Sequence, residues 1–97
     1  MQKGRIFNTP YFRLRTLENG LSLSRFGIIV SNKVSKKAVE RNLLKRRISE
    51  IFRLNLAKIK PGVDIAVTIS QKMVGLSFEK ISEELLRAMK TTKIVEN

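Results

Sequence analysis

Several residue types are missing or scarce, and each absence excludes a class of chemistry. The 97 residues include no cysteine and no histidine. Without cysteine there is no disulfide scaffold, thiolate metal site or cysteine nucleophile, and without histidine the usual acid–base catalyst near neutral pH is missing. The only aspartate, Asp64, cannot form the aspartate-rich two-metal site that many nucleases use. We therefore expect no catalytic residue and no metal site in the protein chain.

Long hydrophobic runs are absent as well. The apolar segments at residues 26–30 and 65–67 are far shorter than the roughly 20 apolar residues that span a membrane. The N-terminal segment MQKGRIFNTP lacks the apolar stretch of a secretory signal. The length fits one domain, residues 1–97, and we expect a cytoplasmic protein with no membrane partner.

Acidic residues are few compared with basic ones. The sequence has 20 Lys and Arg against 8 Asp and Glu, which gives a net charge of +12. Such an imbalance repels itself in a compact state unless a polyanion supplies the counter-charge, and nucleic acid is the usual partner. Residues 33–60 hold ten of the basic residues and two of the acidic ones. The excess of positive charge is therefore concentrated in one segment.

The first part of the chain predicts strands. Residues 1–10 are interpreted as a loose arm, with one further short strand possible near the start. Residues 11–17 alternate, so Phe12 and Leu14 are predicted on one face and Arg13 and Arg15 on the other. Residues 25–31 are apolar and β-branched, which is typical of a buried strand. A turn signal at residues 18–20 predicts that these two strands form an antiparallel hairpin with a loop at 18–24.

The second part predicts a helix, a strand and another helix. Ser35 is a candidate N-cap for a helix over residues 36–56, and residues 63–70 alternate as a strand. Ser77 is predicted to cap a last helix that ends near residue 90, followed by a frayed tail at 91–97. The order β-β-α-β-α predicts an α+β fold in two layers, a small sheet covered by a basic central helix and a C-terminal helix. The strands on either side of the central helix could pair in parallel.

The central helix combines an apolar stripe with a polar strip of one sign. At 100° per residue, Leu44, Ile48, Ile51 and Phe52 form the stripe that faces the core. A contiguous strip beside it is formed by Asn42, Lys45, Arg46, Ser49 and Arg53. Such a strip is often only a solvated face, but Glu40 and Glu50 are predicted on other faces and cannot neutralise it. We favour contact with phosphates, which Arg binds as a planar fork and Lys as a point charge.

Aromatic residues suggest a second, less certain contact surface. Tyr11 precedes Arg13 and Arg15 on the first strand, and a ring between cations suits single-stranded RNA, whose bases stack on rings. Tyr11 could equally be a core residue of an edge strand, and Phe7 could stack on a base or anchor the arm. The remaining phenylalanines that we assign to the core are Phe26, Phe52 and Phe78.

The central helix resembles that of the protein subunit of bacterial ribonuclease P. That family has an Arg-Asn-Arg motif in a basic helix after a strand, and the matching residues here are Lys37, Ala38, Val39, Arg41, Asn42, Lys45 and Arg46, then Glu50 and Phe52. The segments SRFGIIVSNKVSKKAVERN and PGVDIAVTIS are also similar to the family, so the resemblance covers roughly residues 3–90. Leu43 and Ser49 depart from the pattern, since the family usually has Arg there. Leu43 is predicted to be exposed.

The resemblance implies a function, a fold detail and a set of site residues. In this family an RNA removes the 5′ leader of precursor tRNA with bound Mg²⁺, while the protein binds that RNA and the leader, one protein for each RNA. The family fold contains a left-handed β-α-β crossover, against the usual preference. The implied RNA-binding residues are Lys33, Lys36, Lys37, Arg41, Asn42, Lys45, Arg46 and Arg53. Candidates for leader contact are Phe7, Tyr11, Arg13 and Arg15.

Other functions compete with this interpretation. A structural RNA-binding protein of the ribosomal type could carry a similar basic helix without any role in cleavage. A DNA-binding regulator could place residues 36–56 in the major groove, but the short turn and second helix of a helix-turn-helix are missing. A helix lying on a membrane surface is disfavoured, because the sheet must cover the apolar stripe.

Overall fold

A computed structural model describes residues 4–95. These residues form strands β1 (Gly4–Asn8), β2 (Phe12–Glu18), β3 (Arg25–Ile29) and β4 (Val63–Ile69), and helices α1 (Ala38–Leu54) and α2 (Phe78–Thr91). Short 3-10 turns at Leu56–Lys58 and Gln71–Met73 precede and follow β4. The predicted α+β fold of one sheet and two helices is confirmed.

The sheet has the strand order β1-β2-β4-β3. β2 pairs antiparallel with both β1 and β4, whereas β3 pairs parallel with β4. The predicted hairpin between β2 and β3 is therefore wrong, because β4 lies between the two strands. The parallel pairing of the strands on either side of α1 is confirmed. A crossover through α1 links them, as parallel neighbours require.

One face of the sheet is buried and the other is open. Along β2 the burial alternates, with Phe12 and Leu14 buried and Arg13 and Arg15 exposed, as predicted. The side chains of β4 that point to the same side as Leu14 join one apolar core with the buried faces of both helices. The opposite face has no helix over it among residues 4–95. This arrangement leaves two surfaces for ligands, the outer side of α1 and the open face of the sheet.

The two helices begin in different ways. The Ser77 hydroxyl accepts a hydrogen bond from the Lys80 amide at 3.1 Å, so the predicted cap of α2 is confirmed. The prediction for Ser35 is wrong, because Lys37 is the N-cap of α1 and its side chain makes no capping bond. Ser35 instead accepts from the Lys37 amide at 3.1 Å and donates to Glu40 Oε1 at 2.6 Å. Ser35 therefore braces the loop that enters the helix.

Residues 4–8 and 91–95, near the two ends of the described part of the chain, have more structure than predicted. Residues 4–8, interpreted as part of a loose arm, form β1, which is the additional short strand that was considered possible. The tail prediction is wrong for residues 92–95, since Thr92, Ile94 and Val95 are buried and Val95 bridges to Ile59. Residues 1–3 and 96–97 lie outside the described part of the chain.

The aromatic core is smaller than predicted. Phe52 is fully buried, and the half-buried ring of Phe26 stacks on it with centroids 4.8 Å apart. Phe78 is exposed, so its assignment to the core is wrong. As the first residue of α2 it precedes the turn in which Ile81 begins the buried stripe.

Candidate nucleic-acid interface

The sheet fixes the rotation of α1 about its own axis. Leu44, Ile48, Ile51 and Phe52 are at most 4% exposed and belong to the single core cluster. At the end of the helix the side-chain Nδ2 of the buried Asn55 donates a hydrogen bond to the Ile51 carbonyl at 2.8 Å. Because four side chains hold one side of the helix, the polar side is presented to solvent in a fixed orientation.

The polar strip lies along one shallow groove on the outside of α1. Asn42, Lys45, Arg46 and Arg53 are exposed, Ser49 is half-buried, and all five line the groove. Glu50 lines it too, although the helical projection placed Glu50 on a different face. Three ion pairs occur within residues 4–95, and none of them uses a cation of α1. These positive charges are therefore available to a ligand.

Arg41 differs from the other predicted contact residues. It is half-buried, and its Nη1 donates to the Ser35 carbonyl at 2.7 Å. The guanidinium therefore ties the start of α1 to the preceding loop. That loop is anchored by the buried Val34 and presents exposed Lys33, Lys36 and Lys37. The structure thus brings the three lysines to the N-terminal end of the same helix that carries the polar strip.

The open face of the sheet carries the two predicted arginines. Arg15 pairs across the strands with Ile6 and Ala66, and Arg13 pairs with Thr68. Side chains of paired residues point to the same side of a sheet, so these residues share the open face. The Asn8 Oδ1 accepts from Arg13 Nε at 2.9 Å, which orients that guanidinium.

The structure does not place all four candidates for leader contact together. Phe7 pairs with the buried Leu14, so it points to the core side of the sheet, away from Arg13 and Arg15. Tyr11 comes just before β2, is half-buried and packs against the core. Arg13 and Arg15 therefore share the open face, whereas Phe7 and Tyr11 pack against the core, and contact of any of them with the leader stays a prediction.

Sequence reasoning missed the apolar part of the open face. Ile6 is 60% exposed and Leu17 38% exposed, and both line a shallow pocket with Arg15 and Ala66. Residues 4–8 were interpreted as an arm, so Ile6 had no assigned face. Ile6 and Phe7 are adjacent apolar residues, so the segment GRIFN has no alternation that could have assigned a face to Ile6, and only the pairing of β1 with β2 reveals it.

Asp64 joins three parts of the fold. Its carboxylate accepts from Arg25 Nε and Nη2 at 2.9 and 2.8 Å, and from Asn19 Nδ2 at 2.9 Å. The hydrogen bond from Arg25 and then that from Asn19 lower the pKa of Asp64 to about 2. Both oxygens are engaged, so the aspartate holds β4 to β3 and to the loop at 18–24 rather than serving as a metal ligand.

Together, the fold and these surfaces define a class of protein: a small α+β domain with a cationic helix beside an open sheet face. The helices of the described residues are too short or too polar to cross a membrane. No group of three metal-ligating side chains of the usual kinds occurs within the same residues. A cationic surface held in a fixed orientation is typical of proteins that bind nucleic acid.

Comparison with known proteins identifies the family. The family model Ribonuclease P matches residues 1–93. The ribonuclease P protein component of Thermotoga maritima is 39% identical, covering 92% of this chain and 79% of that protein, and that of a Pseudanabaena strain is 33% identical over 96% and 81%. A structure of a Staphylococcus aureus RNase P protein mutant superposes with a TM-score of 0.86 at 31% identity, covering 95% and 77%.

The chain belongs to the ribonuclease P protein family. It is the RNA-binding protein component of a tRNA-processing endoribonuclease, and membership implies association with the ribonuclease P RNA. In this family the RNA performs the cleavage, which agrees with the lack of histidine and cysteine in the sequence.

Proposed function

We propose that α1 and the loop before it bind the ribonuclease P RNA, while the open face of the sheet holds the 5′ leader of precursor tRNA. One protein serves one RNA, in the cytoplasm, and the RNA cleaves the leader. The observation that carries this proposal is the match to the family over residues 1–93, combined with a cationic helix whose rotation the core fixes.

The chemistry of α1 supports its contact with phosphates. Lys45, Arg46 and Arg53 give the groove three exposed cations, and Asn42 adds an amide donor and acceptor. Lys33, Lys36 and Lys37 extend the positive surface beyond the N-terminal end of the helix. Like charges spaced at i, i+4 on one helix are mildly destabilising. A phosphate backbone removes that repulsion and releases counterions, which favours binding.

The open sheet face supports contact with a single strand. Arg13 and Arg15 can meet phosphates, while Ile6 and Leu17 offer apolar surface to unstacked bases. Gly27 pairs with Ala66 on the same face, and a Cβ at Gly27 would meet no atom within 4 Å. The small side chains leave the middle of the face flat, so an extended strand can lie close to the sheet.

The protein residues do not fit a magnesium site of their own. Among residues 4–95 the carboxylates do not cluster with other metal-ligating groups, and both oxygens of Asp64 are bonded to Arg25 and Asn19. We therefore propose that Mg²⁺ is held by the RNA and the substrate. The protein brings positive charge to the RNA, so that fewer free cations are needed to neutralise its phosphates and cleavage can proceed at lower Mg²⁺.

A reconstitution assay tests the proposed function. The protein is mixed with the ribonuclease P RNA and a leader-bearing precursor tRNA at low Mg²⁺. Faster release of the 5′ leader is expected, and cleavage without the RNA is not. RNA binding without faster cleavage would favour the ribosomal-type alternative, and cleavage by the protein alone would overturn the proposal.

Two matched variants separate the two surfaces. Lys45→Ala with Arg46→Ala should lower the slope of log affinity for the ribozyme against log salt by about 1.4–1.8, since each lost phosphate contact removes about 0.7–0.9. Arg13→Ala with Arg15→Ala should weaken binding of leader-bearing precursor more than binding of leaderless tRNA. Lys72→Ala, an exposed residue outside both surfaces, is the control for loss of charge. If all three changes had equal effects on binding, the assignment of the two surfaces to ribozyme and leader would be contradicted.

A further inference from the structure

A second cationic surface lies where the chain segments after α1 and after α2 meet. Lys58 and Lys60 come from the first segment, Lys90 and Lys93 from the end of α2 and the turn after it, and all four are exposed. They surround a concave surface whose floor includes Ile59, Ile94 and Val95, which are at most 8% exposed. We call these four residues the lysine pocket. It shares no lining residue with the groove on α1.

The lysine pocket is held in place by backbone contacts between the two segments. The Lys60 amide donates to the Ile94 carbonyl at 2.8 Å, and Ile59 bridges antiparallel to Val95. Residues distant in sequence are therefore fixed beside each other. The four positive charges lie near one another because backbone contacts join the two segments. The folded state must offset the repulsion between these charges.

Lys93 has an unfavourable backbone conformation. Its φ is 62°, and it is the one residue other than glycine with positive φ in the described part of the chain. The Lys93 amide donates to the Lys90 carbonyl and the Ile94 amide to the Met89 carbonyl, which is the Schellman arrangement that ends a helix. Glycine is usual at this position because it adopts positive φ without steric cost. A lysine at this position adds a fourth positive charge to the pocket, but it makes the turn less stable than glycine would.

Among residues 4–95, no acidic side chain forms an ion pair with the lysines of the pocket. Residues 57–61 and 90–95 include four lysines and no Asp or Glu. An adjoining groove shares Lys60 and Lys93 and adds Arg5 and one carboxylate, Glu18. The net charge of the combined surface is strongly positive.

From this geometry we propose that the lysine pocket binds a second segment of RNA backbone, separate from the segment on α1. Lysines are point charges that attract phosphates without reading bases, and an open concave surface suits a convex phosphodiester chain. The inference rests on the proposed RNA-binding function and adds to it. The protein then contacts three RNA segments: one at the outer side of α1, one at the lysine pocket, and the leader on the open face of the sheet.

Paired substitutions test the pocket. Lys90→Ala with Lys93→Gly should lower the salt slope for binding the ribozyme, or the ribozyme with its precursor tRNA, by about 1.4–1.8. Lys93→Gly also removes the strained conformation, so the thermal midpoint should stay the same or rise. A loss of affinity without a loss of stability shows that the lysines act on RNA. Lys72→Ala again controls for charge.

Tethered cleavage tests whether the two surfaces meet different RNA. Because the chain has no cysteine of its own, one cysteine introduced by mutation can carry an iron–EDTA probe at a single known position. Thr91→Cys, beside the pocket, and Glu50→Cys, beside the α1 groove, leave every cation in place. Each tether should cut a different RNA segment in the reconstituted complex.

The outcomes separate this inference from the proposed function. If α1 variants weaken binding while Lys90→Ala with Lys93→Gly behaves like Lys72→Ala, and only the Glu50→Cys tether cuts RNA, the lysine pocket is not an RNA site. If the unaltered protein neither binds the ribozyme nor speeds leader release, the proposed function fails and this inference fails with it.

Discussion

At the scale of single residues, charge decides which side chains matter. Asp64 is the only aspartate, and it is held by Arg25 and Asn19 in three hydrogen bonds. As the only aspartate it cannot form an aspartate-rich two-metal site, and the structure shows that it joins β4 to β3 and to the loop at 18–24. Its partners could not be predicted, because Asn19 and Arg25 are far from it along the chain.

The Asp64 contacts predict a dependence of stability on acid. The folded pKa of Asp64, about 2, lies below the ordinary value of 3.8. The contribution is therefore fully present above about pH 4 and is lost as pH falls through 2. Asp64→Asn should lower the urea midpoint at pH 6, and the difference from the unaltered protein should shrink between pH 4 and 2. A difference that stays constant over this range would contradict the assignment. In an Arg25→Gln background the effect should be smaller.

Leu43 offers a second prediction at this scale. It is 41% exposed on α1, as predicted, at a position where the family usually has Arg. Leu43→Arg loses no buried contact, so the free energy of unfolding should change by less than about 0.5 kcal/mol. Affinity for the ribozyme should rise, with a salt slope steeper by about 0.7–0.9. Leu23→Arg, at an exposed leucine in the loop between β2 and β3, is the matched control. An equal gain for both would mean that only total charge matters.

At the scale of elements, local patterns predicted which segments are strands and helices and suggested the parallel pair of β3 and β4, but the predicted hairpin between β2 and β3 is wrong. The turn signal at residues 18–20 is real, since Gly20 has a φ of 72°. It does not bring β2 and β3 together, because Asn19 instead donates to the Gly62 carbonyl and to Asp64 near the start of β4. Strand partners depend on contacts distant in sequence, which a hairpin signal does not contain.

The C-terminal segment shows the same limit and gives an element-scale prediction. Residues 91–97 looked frayed because they lack a helical pattern, yet Ile94 is 3% exposed and packs in the core. Ile94→Ala should lower the free energy of unfolding by about 2–5 kcal/mol, measured by urea titration. Leu54→Ala, at an exposed residue, should change it by less than about 0.5 kcal/mol. If both variants lost similarly little free energy of unfolding, the prediction of a frayed tail would be right after all.

At the scale of the whole molecule, net charge sets the response to salt. The net charge of +12 remains after every Asp and Glu has been counted, so the ion pairs do not reduce it. Self-repulsion should weaken as salt screens it. The thermal midpoint should therefore rise between about 0.05 and 0.3 M salt, while affinity for RNA falls. A gain of about 1 kcal/mol corresponds to roughly 4–8 °C for a domain of this size. A flat midpoint would show that repulsion is unimportant here.

The placement of β4 has a consequence for how the protein is made. β4 is the last strand along the chain but occupies an inner position, between β2 and β3. A ribosome must therefore extrude residue 69 before the two earlier strands gain the neighbour that joins them. Until then the cationic helix has emerged without a finished core beneath it, and its apolar stripe is uncovered. Capture of the ribozyme in an ordered geometry must consequently wait until β4 has emerged and paired.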